Sequence, residues 1–331
     1  MFVSSSISNH HGSMELQQLR YVLAVAETNS FTRAAERCLV VQSALSHQIA
    51  KLEKELGARL FERTSRRVRL TPAGAAFLPA ARQCLDAAER AAAEVAAAVG
   101  KVRGRLAVGL IPTVAAVDVP SALRDFRQRY PEVRVSLRVG GSDTLVAQVR
   151  EGAVDVAFLG LPTTARPTGV AVRELARDRL VAVLAPDHPL AGEPVVDLRR
   201  LSSEVFADLP AGTAGRAQSD LAFSAAGLSR DVAFEVNTAD YVARLVAAGL
   251  AVAMLPSAYV PQLPGGVVTI KVADAAARVE YVVWNRLSAT PAATAFLDVL
   301  GIEPDDEAPD QPTPYGQRTR TTAPDQPTAR R

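Results

Sequence analysis

The sequence predicts an α/β protein with an N-terminal winged helix-turn-helix, a long linker helix and a C-terminal domain of two α/β lobes. Three observations predict this arrangement. Residues 16–74 contain three short amphipathic helical patterns and a basic hairpin, residues 72–99 form one long helical pattern, and apolar strands alternate with helices after residue 105. The 331 residues are too many for one typical domain and enough for two or three.

The spacing of apolar residues predicts three short helices near the N-terminus. The first ends at Thr28-Asn29-Ser30, the second covers Thr32–Cys38 and the third covers Gln42–Leu56. The face of the third helix that lies opposite its leucines carries short polar side chains and cations. This composition suits a helix that reads base edges in the major groove of DNA. The alternative interpretation is a solvated face on an ordinary helical domain.

An arginine-rich hairpin is predicted directly after the third helix. Residues Phe61–Leu70 contain four arginines, and a basic hairpin beside a recognition helix suits phosphate contact or insertion into the minor groove. We therefore expect DNA contacts from Arg33, Gln42, Ser43, Ser46, His47, Lys51, Arg63, Arg66 and Arg67.

A long linker helix is predicted from Pro72 to about Val99, with Thr71 as its N-cap. Apolar residues along it alternate spacings of three and four, as in a coiled-coil seam. The seam consists of Leu78, Ala81, Leu85, Ala88, Ala92, Val95 and Val99. The helix could pack on its own domain. We expect instead that it pairs two subunits, giving a homodimer or a dimer of dimers.

The C-terminal part has the alternating order of an α/β domain. Its first unit is predicted as the strands Leu106–Ile111, Val133–Val139 and Val154–Leu159, with the helices Ser121–Tyr130 and Ser142–Glu151 between them. A second unit has the strands Leu180–Leu184, Val232–Val236 and Leu250–Leu255 and the helices Arg216–Ala226 and Ala239–Ala248. Val279–Trp284 and Pro291–Leu300 return to the first unit, and the lobes connect near Gly160-Leu161-Pro162 and Pro264-Gly265-Gly266.

The cleft between the two predicted lobes is the default place for a ligand. Strand ends and helix N-termini offer free backbone N–H groups there, and these suit anions. The candidate residues at such positions are Thr113, Ser142, Thr213, Asn237 and Thr238. Each of them could instead only cap its helix. Arg216 could supply a cation to a carboxylate ligand or could face solvent.

The charge, the cysteine content and the motifs of the chain limit the functions that it can have. The net charge is only +2, so any nucleic-acid affinity must come from a local patch. The two cysteines, Cys38 and Cys84, imply no disulfide framework and suit a reducing cytoplasm. We find no Walker-type loop, Gly-x-Ser-x-Gly, His-Glu-x-x-His or Cys-x-x-Cys motif, so we expect no enzyme, no cofactor and no metal site. No stretch reaches the length of a membrane span.

The predicted domain boundaries follow from these patterns. Residues 1–13 lack the features of a secretion signal and are expected to be disordered, and Met14 could be the true start. The DNA-binding domain covers residues 14–75, the linker helix 76–100 and the two-lobed domain 101–302. Residues 303–331 are poor in apolar side chains and are expected to be a disordered tail.

The N-terminal motifs resemble those of the LysR-type transcriptional regulators. The resemblance is carried by residues 23–27 (LAVAE), 30–37 (SFTRAAER), 42–49 (QSALSHQI), 52–57 (LEKELG), 60–63 (LFER) and 70–74 (LTPAG), and it extends to about Leu300. Two positions depart from the family pattern. Val41 stands where the third helix usually opens with Ser or Thr, and His47 stands where Arg is frequent.

The resemblance implies a cytoplasmic, nucleoid-associated regulator that binds promoter or operator DNA as a homo-oligomer and contacts RNA polymerase. It also implies a small-molecule effector of unknown identity, held in a domain similar to periplasmic solute-binding folds. Two alternatives stay open. One is a DNA-binding regulator that needs no effector. The other is a two-lobed solute-binding protein without a role in gene control, which would need a secretion signal and no helix-turn-helix.

Overall fold

The computed structural model describes residues 14–63, 67–273, 275–286 and 289–303. These residues form two compact units that divide between Lys101 and Val102. The expectations for residues 1–13 and for the tail beyond residue 303 lie outside the described ranges. None of the helices in those ranges is long and apolar enough to cross a membrane.

The first unit is a winged helix-turn-helix followed by a long helix. Its elements are α1 (Leu16–Thr28), α2 (Phe31–Arg37), α3 (Gln42–Leu56), the antiparallel strands β1 (Phe61–Arg63) and β2 (Val68–Leu70), and α4 (Pro72–Ala98). The predicted bounds of α3 are confirmed. The second helix begins one residue earlier than predicted, because Ser30 serves as its N-cap and accepts a hydrogen bond from the Arg33 backbone N–H.

The apolar faces of α1, α2 and α3 meet in one core. Leu45, Ile49 and Leu52 of α3 are fully buried there. Ala34 and Ala35 of α2 are buried as well, and these small side chains let the helices approach closely. The core therefore fixes the orientation of α3 and leaves its polar face outside.

The long helix α4 begins as predicted, with the Thr71 hydroxyl accepting the Gly74 backbone N–H at 3.0 Å. The predicted seam is wrong in its first part. Ala81 is buried within its own unit and Leu78 packs against the helix-turn-helix core, because α4 lies on α1 there. Farther along, Val95 and Val99 are 70% and 72% exposed, so this part of the predicted seam stays available to a second subunit.

The second unit has a mixed sheet that runs through two lobes. Its elements are β3 (Gly104–Leu110), α5 (Val119–Arg129), β4 (Val133–Val139), α6 (Ser142–Arg150), β5 (Val156–Pro162), β6 (Ala171–Leu184), β7 (Val195–Val196), α7 (Leu198–Leu201), β8 (Val205–Asp208), α8 (Ala214–Ala225), β9 (Asp231–Glu235), α9 (Ala239–Ala247), β10 (Ala253–Pro256), a 3₁₀ helix (Ser257–Gln262), β11 (Val268–Val272), β12 (Ala277–Trp284) and α10 (Pro291–Val299).

The first lobe confirms the predicted β-α-β-α-β order. β3 lies between β4 and β5 and is parallel to both. β12 and α10 return to this lobe as predicted, with β12 antiparallel to β5. α5 and α10 pack together, and Phe126 meets Phe296 edge to face at 5.5 Å between ring centroids.

The connection between the lobes differs from the prediction. β6 is one continuous strand, of which residues 171–179 pair with β12 and residues 180–184 pair with β10 and β11. The lobes are therefore joined by β6 and by the short segment between β11 and β12. The predicted crossovers are wrong: Gly160-Leu161-Pro162 lies inside β5, and Pro264-Gly265-Gly266 lies in the second lobe before β11. The glycine and proline residues predicted loops that cross between the lobes, whereas the unbroken strand β6 connects them.

The second lobe has apolar side chains on both faces of its sheet. Leu180, Ala182 and Leu184 of β6 join one apolar cluster, and Val183 joins the other, as the period of two in a strand requires. The predicted strands and helices of this lobe are present with shifted ends. The elements β7, α7, β8 and β11 were not predicted, because each spans only two to five residues and shows no clear period.

Candidate functional site

The polar face of α3 is the first candidate surface. Gln42, Ser43, His47 and Lys51 are exposed on it and Ser46 is half-buried. Arg33 is exposed on α2, and its guanidinium donates to the Thr28 carbonyl oxygen. The ammonium of Lys51 lies 3.3 Å from the Glu15 carboxylate, so a phosphate would have to compete with this surface ion pair.

The hairpin is tied to α3 by a single carboxylate. Glu53 Oε1 accepts the backbone N–H groups of Leu60 at 2.8 Å and of Phe61 at 3.1 Å. The wing is thereby held at the end of the helix. Of the predicted hairpin contacts, Arg67 is exposed, Arg63 belongs to β1, and Arg66 lies outside the described residues.

The second candidate site is a cavity of about 290 Å³ between the two lobes. The structure brings all five predicted ligand residues to it. The lining residues are Ile111, Pro112, Thr113, Val139, Gly140, Gly141, Ser142 and Gly160 with Arg278 from the first lobe, and Leu209, Pro210, Thr213, Gly215, Gln218, Asn237 and Thr238 from the second.

Thr213 and Thr238 cap their helices and line the cavity at the same time. The Thr213 hydroxyl donates to the Pro210 carbonyl at 2.8 Å and accepts the Arg216 N–H at 3.3 Å. The Thr238 hydroxyl accepts the Tyr241 N–H at 3.3 Å. Both residues therefore combine capping with a place in the cavity lining, but the Thr213 hydroxyl already donates its one proton to Pro210 and can offer a ligand only an acceptor.

Ser142 does not cap α6, contrary to the expectation. The N-cap is Gly141, and Ser142 is the first helical residue. Its buried hydroxyl lies 3.2 Å from both the N–H and the carbonyl oxygen of Gly160 in β5, so it bonds across to the sheet. Gln218 reaches the same carbonyl from the second lobe, with Nε2 at 3.3 Å. Ser142 and Gln218 thus meet at one backbone group on the cavity wall.

Arg278 is the main cavity residue that the sequence did not indicate. It is only 1% exposed and donates to Thr113, with Nη1 2.9 Å from the hydroxyl and Nη2 3.0 Å from the carbonyl oxygen. Glu280, two residues along the same strand, pairs with Nη2 and accepts the backbone N–H groups of Ala115 and Ala116 at 3.1 and 2.9 Å. Side chains alternate between the two faces of a strand, so Arg278 and Glu280, two residues apart in β12, lie on the same face. This spacing was the signal in the sequence that could have indicated the pair.

The charge of Arg278 is balanced inside the protein. Burial lowers the pKa of its guanidinium, with the Glu280 carboxylate opposing this shift, and the side chain stays protonated because the ordinary pKa of arginine is very high. Its Nε atom is buried and makes no hydrogen bond within the described part of the chain. This N–H group is therefore shielded from the cavity, and Arg278 contributes to the cavity wall by holding Thr113 in place.

Arg216 does not enter the cavity and does not face solvent, so neither expectation for it holds. Its side chain joins an ion-pair network with Asp220 at 3.0 Å and Glu235 at 3.1 Å. Asp208 is 3.9 Å from Arg216 and 2.7 Å from Arg230, and burial raises the pKa of the Asp208 carboxyl while Arg230 opposes the shift. The network holds the first turn of α8 against β8 and β9.

The lining of the cavity suits a small molecule with one anionic or strongly accepting group. The N-terminal ends of α6, α8 and α9 lie at the cavity, and helix N-termini favour negative charge. The rest of its lining is largely apolar, from residues such as Ile111, Val139 and Leu209.

Comparison with known proteins identifies the family to which the chain belongs. A model for the bacterial regulatory helix-turn-helix protein, lysR family, matches residues 16–75, and a model for the LysR substrate binding domain matches residues 100–303. This chain belongs to the LysR family of transcriptional regulators. A LysR regulator needs the two parts described above, a DNA-binding helix-turn-helix and a two-lobed effector domain.

Individual LysR proteins resemble the chain over different lengths. A probable hydrogen peroxide-inducible genes activator of Mycobacterium avium is 39% identical over 58% of this chain and 60% of that protein. The transcriptional dual regulator GltC of Bacillus subtilis (strain 168) is 33% identical over 73% of this chain and 81% of GltC. Full-length CbnR in complex with its target DNA has a TM-score of 0.67 at 27% identity, covering 87% of this chain and 99% of CbnR.

Proposed function

We propose that this LysR regulator controls transcription in response to a small molecule bound in the cavity between the lobes of its effector domain. The observation that carries the proposal is the convergence of Thr113, Ser142, Thr213, Asn237 and Thr238 on one cavity. The ligand bears a carboxylate or a similar group, because the N-terminal ends of α6, α8 and α9 meet at the cavity and helix N-termini favour negative charge.

In this proposal, two copies of the first unit bind DNA together. We infer a dimer, joined in part by the exposed end of α4, that places two α3 helices in successive major grooves. Half-sites about one helical turn apart, roughly 34–36 Å, suit such an arrangement. Effector binding changes the relative stability of two lobe arrangements and through them the geometry of the DNA-binding pair.

The remaining parts of the proposal follow from this role. The regulator works on the bacterial chromosome, in the cytoplasm, and it acts by contact with RNA polymerase rather than by catalysis. Direct contacts to DNA come from α2, α3 and the hairpin, through the predicted residues Arg33, Gln42, Ser43, Ser46, His47, Lys51, Arg63, Arg66 and Arg67.

The test begins with a thermal-shift screen of the full-length protein against small carboxylic acids and their amides. A compound that raises the melting temperature is then measured by calorimetry. Thr213→Val should weaken its binding at least tenfold, because the cavity loses a hydroxyl. Thr290→Val is the matched control, since Thr290 caps α10 in the same manner, accepting the Ala293 N–H at 3.1 Å, but does not line the cavity.

The competing function is a regulator that needs no effector. No compound in the screen would then stabilise the protein, and operator affinity would be unaffected by all of them. Equal reductions of affinity for Thr213→Val and Thr290→Val would also contradict the site, because the effect would then come from the missing caps alone.

A further inference from the structure

Two apolar side chains are exposed to solvent at the turn that leads into α3. Leu39 is 92% exposed and Val41 is 68% exposed. Val40 between them packs against the core of the first unit, so the turn holds its place while its two neighbours point outward. Within the described residues, the core of the first unit is therefore built without the side chains of Leu39 and Val41.

Each of these residues is also unfavourable for the local backbone. Leu39 has a φ of 55°, a left-handed conformation that glycine or asparagine adopts more easily. Val41 is the N-cap of α3 and makes no side-chain hydrogen bond. Ser30 and Thr71, the N-caps of α2 and α4, both accept a backbone N–H.

Residues that are unfavourable for the local fold, and that bring no compensating stability to the folded protein, are expected at sites that serve binding. The departures at Leu39 and Val41 are adjacent to Gln42, the first residue of α3, and so they extend the DNA-binding surface that the proposed function assigns to α3. The N-terminal residues of a recognition helix are the ones that contact base edges.

We propose that Val41, flanked by Leu39, reads a thymine in each half-site through an apolar contact with its 5-methyl group. The methyl group is the only apolar group that a base pair shows in the major groove, and a branched aliphatic side chain complements it. Burial of the two side chains against DNA would offset their unfavourable exposure in the free protein.

The experiment uses the full-length protein and a DNA fragment that it selects from genomic DNA. Each thymine of the bound site is replaced in turn by deoxyuracil, which lacks only the methyl group. At one thymine per half-site, we expect the replacement to weaken wild-type binding about fourfold, the effect of one buried methyl group. Val41→Ser should bind the thymine and deoxyuracil duplexes equally.

A stability check on the test variant and one control variant make the result specific. Val41→Ser supplies the missing cap, so its melting temperature should be no lower than that of the wild type. Leu56→Ser removes an exposed apolar side chain from the other end of α3 and should keep the fourfold discrimination.

The proposal is overturned if wild-type affinity is the same for every deoxyuracil duplex, or if Val41→Ser still discriminates between the two duplexes. If Val41→Ser binds DNA like the wild type but fails to activate transcription, the turn faces a protein partner instead of thymine, and the proposal is again wrong.

Discussion

Arg278 holds Thr113 at two points, donating to its hydroxyl at 2.9 Å and to its carbonyl oxygen at 3.0 Å. Thr113 follows β3 and Arg278 belongs to β12, so the two bonds fix a strand end at the cavity from across the sheet. Glu280 completes the arrangement by pairing with Arg278 and accepting the Ala115 and Ala116 N–H groups. The wall of the cavity at Thr113 therefore depends on a buried ion pair.

Arg278→Met should strongly destabilise the effector domain, because it leaves Glu280 charged and buried without its cation. We expect the free energy of unfolding to fall by about 3–5 kcal/mol. Urea unfolding followed by tryptophan fluorescence measures this directly, since Trp284 is the one tryptophan of the chain and lies on the same strand.

The control for this variant is Arg177→Met, which removes a cation from the exposed pair with Glu174. Exposed pairs contribute little to stability, so its unfolding curve should overlay that of the wild type. A similar curve for Arg278→Met would show that the buried pair is not needed to hold the strand end.

Alanine substitutions test which residues of the DNA-binding unit read bases and which contact phosphates. Gln42→Ala and His47→Ala should each weaken operator binding by about 1–3 kcal/mol, the effect of removing one good hydrogen-bonded pairing with a base edge, and should have little effect on random DNA. Arg67→Ala should weaken both and reduce the slope of log affinity against log salt by about one. Fluorescence anisotropy titrations at several salt concentrations measure all three. Equal reductions on both kinds of DNA for the α3 variants would contradict base reading.

The exposed end of α4 should carry part of the dimer interface. Val95→Asp places a charge on a side chain that its own subunit leaves in solvent, so the monomer should keep its helical content. We expect sedimentation to show loss of the dimer and gel-shift titration to show loss of operator binding. Gln83→Asp, which the helical period puts on a different face of α4, should leave both unchanged. A Val95→Asp protein that stayed dimeric would place the interface elsewhere.

Peroxide should not switch this regulator, although one of its relatives is named as a probable peroxide-inducible activator. No cysteine lies between Lys101 and Arg331, so the effector domain has no thiol to oxidise. Burial raises the pKa of the Cys38 thiol, which keeps it in its less reactive protonated form, and Cys84 is an exposed free thiol on α4.

The measurement is operator binding before and after peroxide treatment, for the wild type and for a Cys38→Ser, Cys84→Ser double variant. Both proteins should bind equally well under both conditions. Loss of binding in the oxidised wild type alone would assign a redox role to Cys38 or Cys84.

The sequence by itself determined the longer local elements and the kind of protein. α3 could be predicted from residue 42 to 56 because its apolar period is regular and Gly57, at a φ of 66°, ends it. The five cavity residues could be chosen because strand ends and helix N-termini are visible in a pattern, and the topology of parallel strands brings such points together.

Only the tertiary structure decided how distant groups pair. β6 passes between the lobes without a break, so no turn residue marks the crossing. Arg278 and Arg216 look alike in the sequence as single arginines among apolar neighbours, yet one lines the cavity and the other joins Asp220 and Glu235. A buried charge is stable only with its partner, and Arg278's second partner, Thr113, is 165 residues away along the chain. Local patterns carry no information about that distance, because folding alone brings the two groups together.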